Sequence, residues 1–170
     1  HFLPLMSTDF RKIYEGKAGD EVARRYRQGR DTGWIFSSLK QMWCGLAYLH
    51  ANFVVHADLK PENILYDFGT DTVKLADYGL AVNFGSTGKF RLDYNIVTAW
   101  WRPPEIFALH LPEQIEAPKE YYVGPEIDVY AMGWIGMQHL YKIKPPALTG
   151  KTKEEIYASL VFLKLIGTNT

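Results

Sequence analysis

From Trp34 to Asn52 the apolar residues Ile35, Leu39, Met42, Trp43, Leu46 and Leu49 recur at steps of three and four, which predicts a long helix with one apolar face. Asp128 to Tyr141 is apolar nearly all round, with Val129, Tyr130, Met132, Trp134, Ile135, Met137 and Leu140, and predicts a buried helix. Between these two stretches the pattern shortens. Ile64 to Tyr66 and Val73 to Leu75, separated by a turn carrying Asp67, Gly69 and Asp71, predict a two-stranded hairpin. Residues 1 to 12 predict an extended stub entering a short helix, with Ser7, Thr8 or Asp9 as N-cap before Phe10 and Ile13. Residues 80 to 98 lack periodicity and predict a long surface loop, and 111 to 126, with three prolines, an irregular insertion. A short helix is expected over Glu105 to Leu109 and a last one over Lys153 to Leu165, after Pro145-Pro146. There are no internal repeats.

Composition narrows the class. With 47% hydrophobic residues and no net formal charge, the 170-residue chain can bury a sizeable core and is globular rather than disordered. The balanced charge gives no argument for a nucleic-acid partner. Its one basic concentration, Arg11 to Arg30, reads as a solvated surface segment. Cys44 is the only cysteine, so internal disulfides and multi-cysteine zinc sites are excluded and an intracellular setting is expected. Cys44 and His50 read as packing or surface residues, and His1, His110 and His139 are not at metal-ligand spacing. No apolar run approaches the roughly 20 residues a bilayer span needs, so no membrane partner is expected. The start, His1-Phe2-Leu3-Pro4, lacks Met and suggests a piece of a longer chain.

The chemistry concentrates in His56-Ala57-Asp58-Leu59-Lys60-Pro61-Glu62-Asn63. A carboxylate, an ammonium and an amide fall within six residues, on a loop pinned by short β-like segments, so Asp58, Lys60 and Asn63 can converge on one small volume. The hairpin then returns the chain and brings Ala76-Asp77-Tyr78-Gly79 beside Asn63, adding a second carboxylate. Phosphoryl transfer needs a group to orient the attacking hydroxyl, charge to offset the developing negative oxygens, and hard oxygen ligands for metal. Each is present here.

This loop resembles the catalytic loop of protein kinases, and Asp-Tyr-Gly at 77 to 79 stands where that family usually carries Asp-Phe-Gly. Thr98-Ala99-Trp100-Trp101-Arg102-Pro103-Pro104-Glu105 resembles the close of a kinase activation segment, with Pro103 in place of the usual Ala. Asp128-Val129-Tyr130-Ala131-Met132-Gly133 resembles the buried helix whose Asp holds the catalytic loop. Leu163 to Thr168 resembles a turn of the branch containing cyclin-dependent and mitogen-activated kinases. Two look-alikes are set aside. Asp67-Phe68-Gly69 spells the family triplet but follows Asn63 too soon for a strand to leave and return. Gly85-Ser86-Thr87-Gly88-Lys89 has the wrong glycine spacing for a phosphate loop.

The resemblance implies a mainly α fold with short β-hairpins, the large lobe of a kinase domain over residues 1–170, with the small lobe absent and both ends truncated. It implies Asp58 as catalytic base, Lys60 on the transferring phosphate, Asn63 and Asp77 on Mg2+, and Thr98 bonded to Asp58 and Lys60. ATP would meet Pro4 and Met6 through adenine, with Leu3 behind it, Asp9 at the ribose and Leu65 under the base; Lys60, Glu62 and Asp77 would complete its site. The implied activity is serine/threonine phosphorylation of a protein substrate, with a possible activating subunit. No glycine-rich loop, strand lysine or partner glutamate is present, so this stretch alone is expected to be inactive. The alternatives are a truncated kinase-like binding module and, less well matched, a small-molecule phosphotransferase.

Three departures belong together. Ala57 replaces the Arg most kinases carry between His and Asp, Val82 replaces a second Arg of the cyclin-dependent relatives, and Asp93 occupies the usual phosphate-acceptor position. Activity independent of phosphorylation at that position is the expectation.

Overall fold

The computed structural model describes residues 6–19, 31–85, 88–91, 101, 103, 106 and 122–143. Helix α1 (Phe10–Tyr14) starts at Asp9, whose Oδ1 accepts the Lys12 N–H at 2.9 Å, so Asp9 is the N-cap among the three candidates. Helix α2 (Thr32–Ala51) is capped by Asp31, which accepts the Trp34 N–H at 2.8 Å. Ile35, Met42 and Leu46 are buried, and Leu39 and Leu49 half-buried, as the periodicity requires. Trp43 is exposed, because it stands about 100° round the helix from Met42, off the edge of the apolar stripe. Helix α3 (Glu126–Tyr141) matches the second helical stretch but is not buried all round. It turns Ile127, Asp128, Ala131, Met132, Ile135 and His139 inward and leaves Val129, Met137 and Tyr141 exposed.

Seven short strands accompany these helices among the described residues: β1 (Thr8–Asp9), β2 (Val54–Val55), β3 (Ile64–Asp67), β4 (Thr72–Leu75), β5 (Val82–Asn83), β6 (Phe90–Arg91) and β7 (Tyr122–Val123). The expected hairpin is β3–β4, with Ile64 opposite Leu75 and Asp67 opposite Thr72, and β1 adds antiparallel to its other edge. Along β3 burial alternates, Ile64 and Tyr66 facing the core while Leu65 and Asp67 face outward. The segments expected to be loop or irregular supply β5, β6 and β7: β5 pairs with β2, one of the β-like segments expected beside the polar loop, and β6 pairs with β7. Strands of two residues are too short to show a period, which is why the pattern missed them. Helix α2 lies across β4 and α3. An added Cβ on Gly45 would meet the Leu75 side chain at 3.4 Å, so this glycine sets how closely α2 approaches the hairpin.

Two apolar clusters form among the described residues. The larger joins Phe10, Ile13, Trp34, Met42, Leu46, Leu59, Ile64, Tyr66, Met132 and Ile135; the smaller joins Val55, Ala57, Phe84, Phe90, Ile106, Val123 and Ile127. The polar loop from His56 to Asn63 runs between them, with Leu59 anchored in one and Ala57 in the other. Of the helix expected at 105 to 109, only Ile106 is described, its N–H donating to the Pro103 carbonyl at 3.0 Å. The basic segment 20–30 and the expected helix 153–165 lie outside the described residues.

Candidate active site

The loop is held from both sides before its functional groups are reached. On one side Asp128, buried near the start of α3, accepts the His56 N–H at 2.7 Å and the His50 Nε2–H at 3.0 Å on Oδ2, and the Ala57 N–H at 2.9 Å on Oδ1. Ala57 takes a left-handed φ of 63°, a conformation that costs a side-chain-bearing residue about 1 kcal/mol or more. The two backbone bonds to one carboxylate hold it there. On the other side the fully buried His56 ring donates from Nε2 to the Ala76 carbonyl at 2.9 Å, and its Nδ1 faces the Asp58 N–H at 3.4 Å.

Asp58, Lys60 and Asn63 then meet as their spacing predicts. Lys60 Nζ lies 2.6 Å from Asp58 Oδ2, and Asn63 Nδ2 donates to the Asp58 carbonyl at 2.8 Å and to Asp58 Oδ2 at 3.2 Å. Pro61–Asn63 forms one turn of 3-10 helix, closed by the Asn63 N–H on the Lys60 carbonyl at 2.9 Å, and this turn folds the amide back over the carboxylate. Asp58 is buried and Lys60 half-buried. Their attraction therefore acts with less solvent screening than a surface pair.

The hairpin delivers the next segment as expected. The Ala76 N–H donates to the Asn63 carbonyl at 2.9 Å, so Asp77 follows one residue beyond this contact, exposed and with a left-handed φ of 63°. A Cβ on Gly79 would sit 3.3 Å from Asp77 Oδ1, so the glycine gives that carboxylate room. Tyr78 places its ring 5.2 Å from the His56 ring and donates its hydroxyl to the Leu75 carbonyl at 3.0 Å; burial raises the phenol above its ordinary value. The look-alike Asp67 is engaged elsewhere. It accepts the Thr70 N–H and hydroxyl at 3.1 and 2.6 Å and the Ser7 hydroxyl at 2.8 Å, and these bonds, Thr70's first, hold its carboxyl below the usual range.

The residues assigned to the nucleotide divide. Asp9 pairs with Leu65 across β1 and β3, so both belong to the outward face of that sheet. Asp9 is also committed locally, its Oδ1 to the cap and its Oδ2 to Lys12 Nζ at 3.0 Å. Glu62 turns to Arg11, with which it makes an exposed ion pair at 2.9 Å. Met6 is half-buried next to Ser7, whose N–H donates to the Tyr66 carbonyl at 3.1 Å. Pro4, Leu3 and Thr98 lie outside the described residues. His50 was the contributor that sequence reasoning missed, because its partner Asp128 is 78 residues away.

Residues 13–167 match the family described as the protein kinase domain. The chain belongs to that family. It is 35% identical over 130 residues to cyclin-dependent kinase C-2 of Oryza sativa subsp. japonica, a match covering 76% of this chain and 22% of the relative. It is 36% identical over 117 residues to cyclin-dependent kinase C-1 of Arabidopsis thaliana, covering 69% and 21%. The chain thus spans about a fifth of the length of these curated relatives, both of which are named as cyclin-dependent kinases. No helix among the described residues is long and apolar enough to cross a membrane.

The donor set fits magnesium held with a nucleotide better than a free-standing metal centre. Among the described residues no three His, Cys, Asp or Glu side chains gather into a metal site. Magnesium asks for less, one or two protein oxygens together with phosphate and water. The Asn63 Nδ2 is turned to Asp58, which directs the amide's Oδ1 to the other side, and Asp77 offers its carboxylate one residue past the Asn63–Ala76 contact.

Proposed function

We propose that the chain supplies the large-lobe half of a serine/threonine protein kinase, which in the full-length protein transfers the γ-phosphate of ATP to a protein hydroxyl. The observation that carries this is the meeting of Lys60 Nζ and Asn63 Nδ2 on one oxygen of the buried Asp58. In the reaction the substrate hydroxyl attacks the γ-phosphorus, the bond to the β-phosphate oxygen breaks, ADP leaves, and the hydroxyl proton passes to Asp58. Lys60, already beside that carboxylate, offsets charge on the transferring phosphoryl group. Asn63 and Asp77 would hold Mg2+, which would supply positive charge to offset the negative charge of the phosphates. Leu65 and Asp9, neighbours on the outward sheet face, would floor the base and meet the ribose. Thr98 would bond Asp58 and Lys60 and favour Ser/Thr over Tyr. The matched relatives are named for dependence on a cyclin, and an activating subunit of that kind is part of the proposal.

The test is turnover of the purified full-length protein with Mg-ATP, offered a peptide and a small alcohol. Phosphorylation of the peptide alone is expected, with loss of about 100-fold or more in kcat for Asp58→Asn. Peptide turnover that survives Asp58→Asn, or no turnover by a full-length protein carrying both lobes, would leave a binding module as the better reading.

A further inference from the structure

The segment that follows Gly79 is tied down by apolar contacts at the place where a phosphate-binding arginine is missing. Ala57 is 1% exposed and shares a buried cluster with Val55, Phe84, Phe90, Val123 and Ile127. Val82, at the second missing arginine, packs against the same cluster. Three attachments hold the segment. Strand β5 pairs with β2, Val82 opposite Val55, which leads directly into His56. The Phe84 N–H donates to the Phe53 carbonyl at 2.9 Å, and the two rings meet edge to face at 5.8 Å. Strand β6 pairs with β7, Phe90 opposite Val123, just ahead of the helix that carries Asp128. A further feature seats this last pairing: a Cβ on Gly124 would lie 2.7 Å from the Gly88 carbonyl oxygen, closer than a real Cβ tolerates, so only glycine lets the backbones approach.

We propose that Phe90 is a positioning residue for the substrate, an apolar anchor that holds the activation segment against the catalytic loop in place of a bound phosphate. A phosphate works by gathering cations, and this cluster presents Ala57 and Val82 instead. Burying a phenyl ring in the same cluster as the loop residue next to Asp58 achieves the same tethering without modification, and it is permanently engaged. The segment so held leads from the metal-side residue Asp77 toward the strand pair beside α3, so its placement governs where a peptide hydroxyl can lie relative to Asp58.

For its turnover readout the inference rests on the kinase reading above; its exchange readout does not. In the full-length protein, Phe90→Ala is expected to speed amide exchange at Phe84, Phe90 and Val123 on the order of 100-fold, while Met42 and Leu46 in the other core keep their protection. Peptide KM should rise at least about tenfold with ATP KM unchanged, Phe90→Leu should restore most of it, and phosphatase treatment should alter nothing. Gly124→Ala is the second variant, expected to loosen the same amides through the Gly88 backbone should Phe90→Ala fail to fold. Unchanged exchange in both variants, or turnover lost on phosphatase treatment, would overturn the anchor. A full-length protein with no turnover but with the local exchange response would sink the kinase reading and keep the anchor.

Discussion

His139 gives the fold a pH dependence that can be worked out from its surroundings. The ring is buried in α3 among Trp34, Phe10 and Tyr14, whose centroids lie 5.3, 5.4 and 5.9 Å away, and its Nε2 is 2.8 Å from Ser38 Oγ. Ser38 Oγ is also 2.7 Å from the Trp34 carbonyl, so its proton goes there and the oxygen accepts from the imidazole Nε2–H. Burial makes the charged ring unfavourable and pushes its pKa down to about 4. In the unfolded chain a histidine titrates near 6.5. The folded value lies below the unfolded one, so the unfolded state binds the extra proton first. Stability from this residue is complete above pH of about 6.5 and is lost as the pH falls toward 4. A difference of some two to three pH units corresponds to about 3 kcal/mol, a large share of a domain's net stability. Urea unfolding at a series of pH values between 4 and 7 measures it. His139→Gln, which keeps a donor for Ser38, should remove most of that slope while shifting stability at pH 7 much less. An unchanged slope in the variant would show that carboxylates elsewhere, not this imidazole, set the acid sensitivity.

Other substitutions test the site and its supports. Asp77→Asn should abolish Mg-dependent turnover of the full-length protein with its unfolding midpoint nearly unchanged, whereas Asp67→Asn should leave turnover nearly intact; initial rates with and without added magnesium decide between the two triplets. Asp128→Ala leaves the buried His56 and Ala57 N–H groups without their acceptor and should cost about 3 kcal/mol in urea unfolding, with faster exchange at both amides. Trp34→Phe removes the indole N–H donation to the Tyr66 hydroxyl at 2.9 Å and should cost about 1 kcal/mol, readable as a shift in denaturant midpoint at unchanged slope.

What could be read from the chain beforehand divides by distance along it. Helix α2 was visible because one apolar stripe persists over many turns, and the β3–β4 hairpin because two short apolar runs flank a turn of Asp and Gly. The α3 boundaries were close, yet its exposed Val129 and Met137 contradict the expectation of all-round burial. An apolar circumference cannot state which side meets a neighbour. Strands β5, β6 and β7 carry no periodic signal and exist through partners remote in the chain. The candidate site follows the same division. Asp58, Lys60 and Asn63 were expected together from loop spacing, and they meet; the preference for Asp77 over Asp67 rests on the length a hairpin needs and awaits the magnesium assay above. The supports of the loop were only partly visible: Asp128 by resemblance, His50 not at all.

That distinction has a physical consequence for how the site works. Within the loop, the side-chain bonds among Asp58, Lys60 and Asn63 fix the groups relative to one another but not relative to the rest of the molecule. Placement in space comes from Asp128 on α3, which takes the two backbone N–H groups before Asp58, and from Ala76 at the end of β4, whose carbonyl takes His56 and whose N–H reaches Asn63. The Asp128 oxygens hold Ala57 in its left-handed backbone, so the loop geometry depends on the seating of α3, which packs against α2 and shares a cluster with Val55 of β2 through Ile127. Asp77, the proposed metal ligand, directly follows the same Ala76. A disturbance of α3 should therefore displace the proposed base Asp58 and the proposed metal ligand Asp77 together, and the paired loss of peptide turnover and magnesium affinity in Asp128→Ala is the signature that separates this shared support from two independent ones.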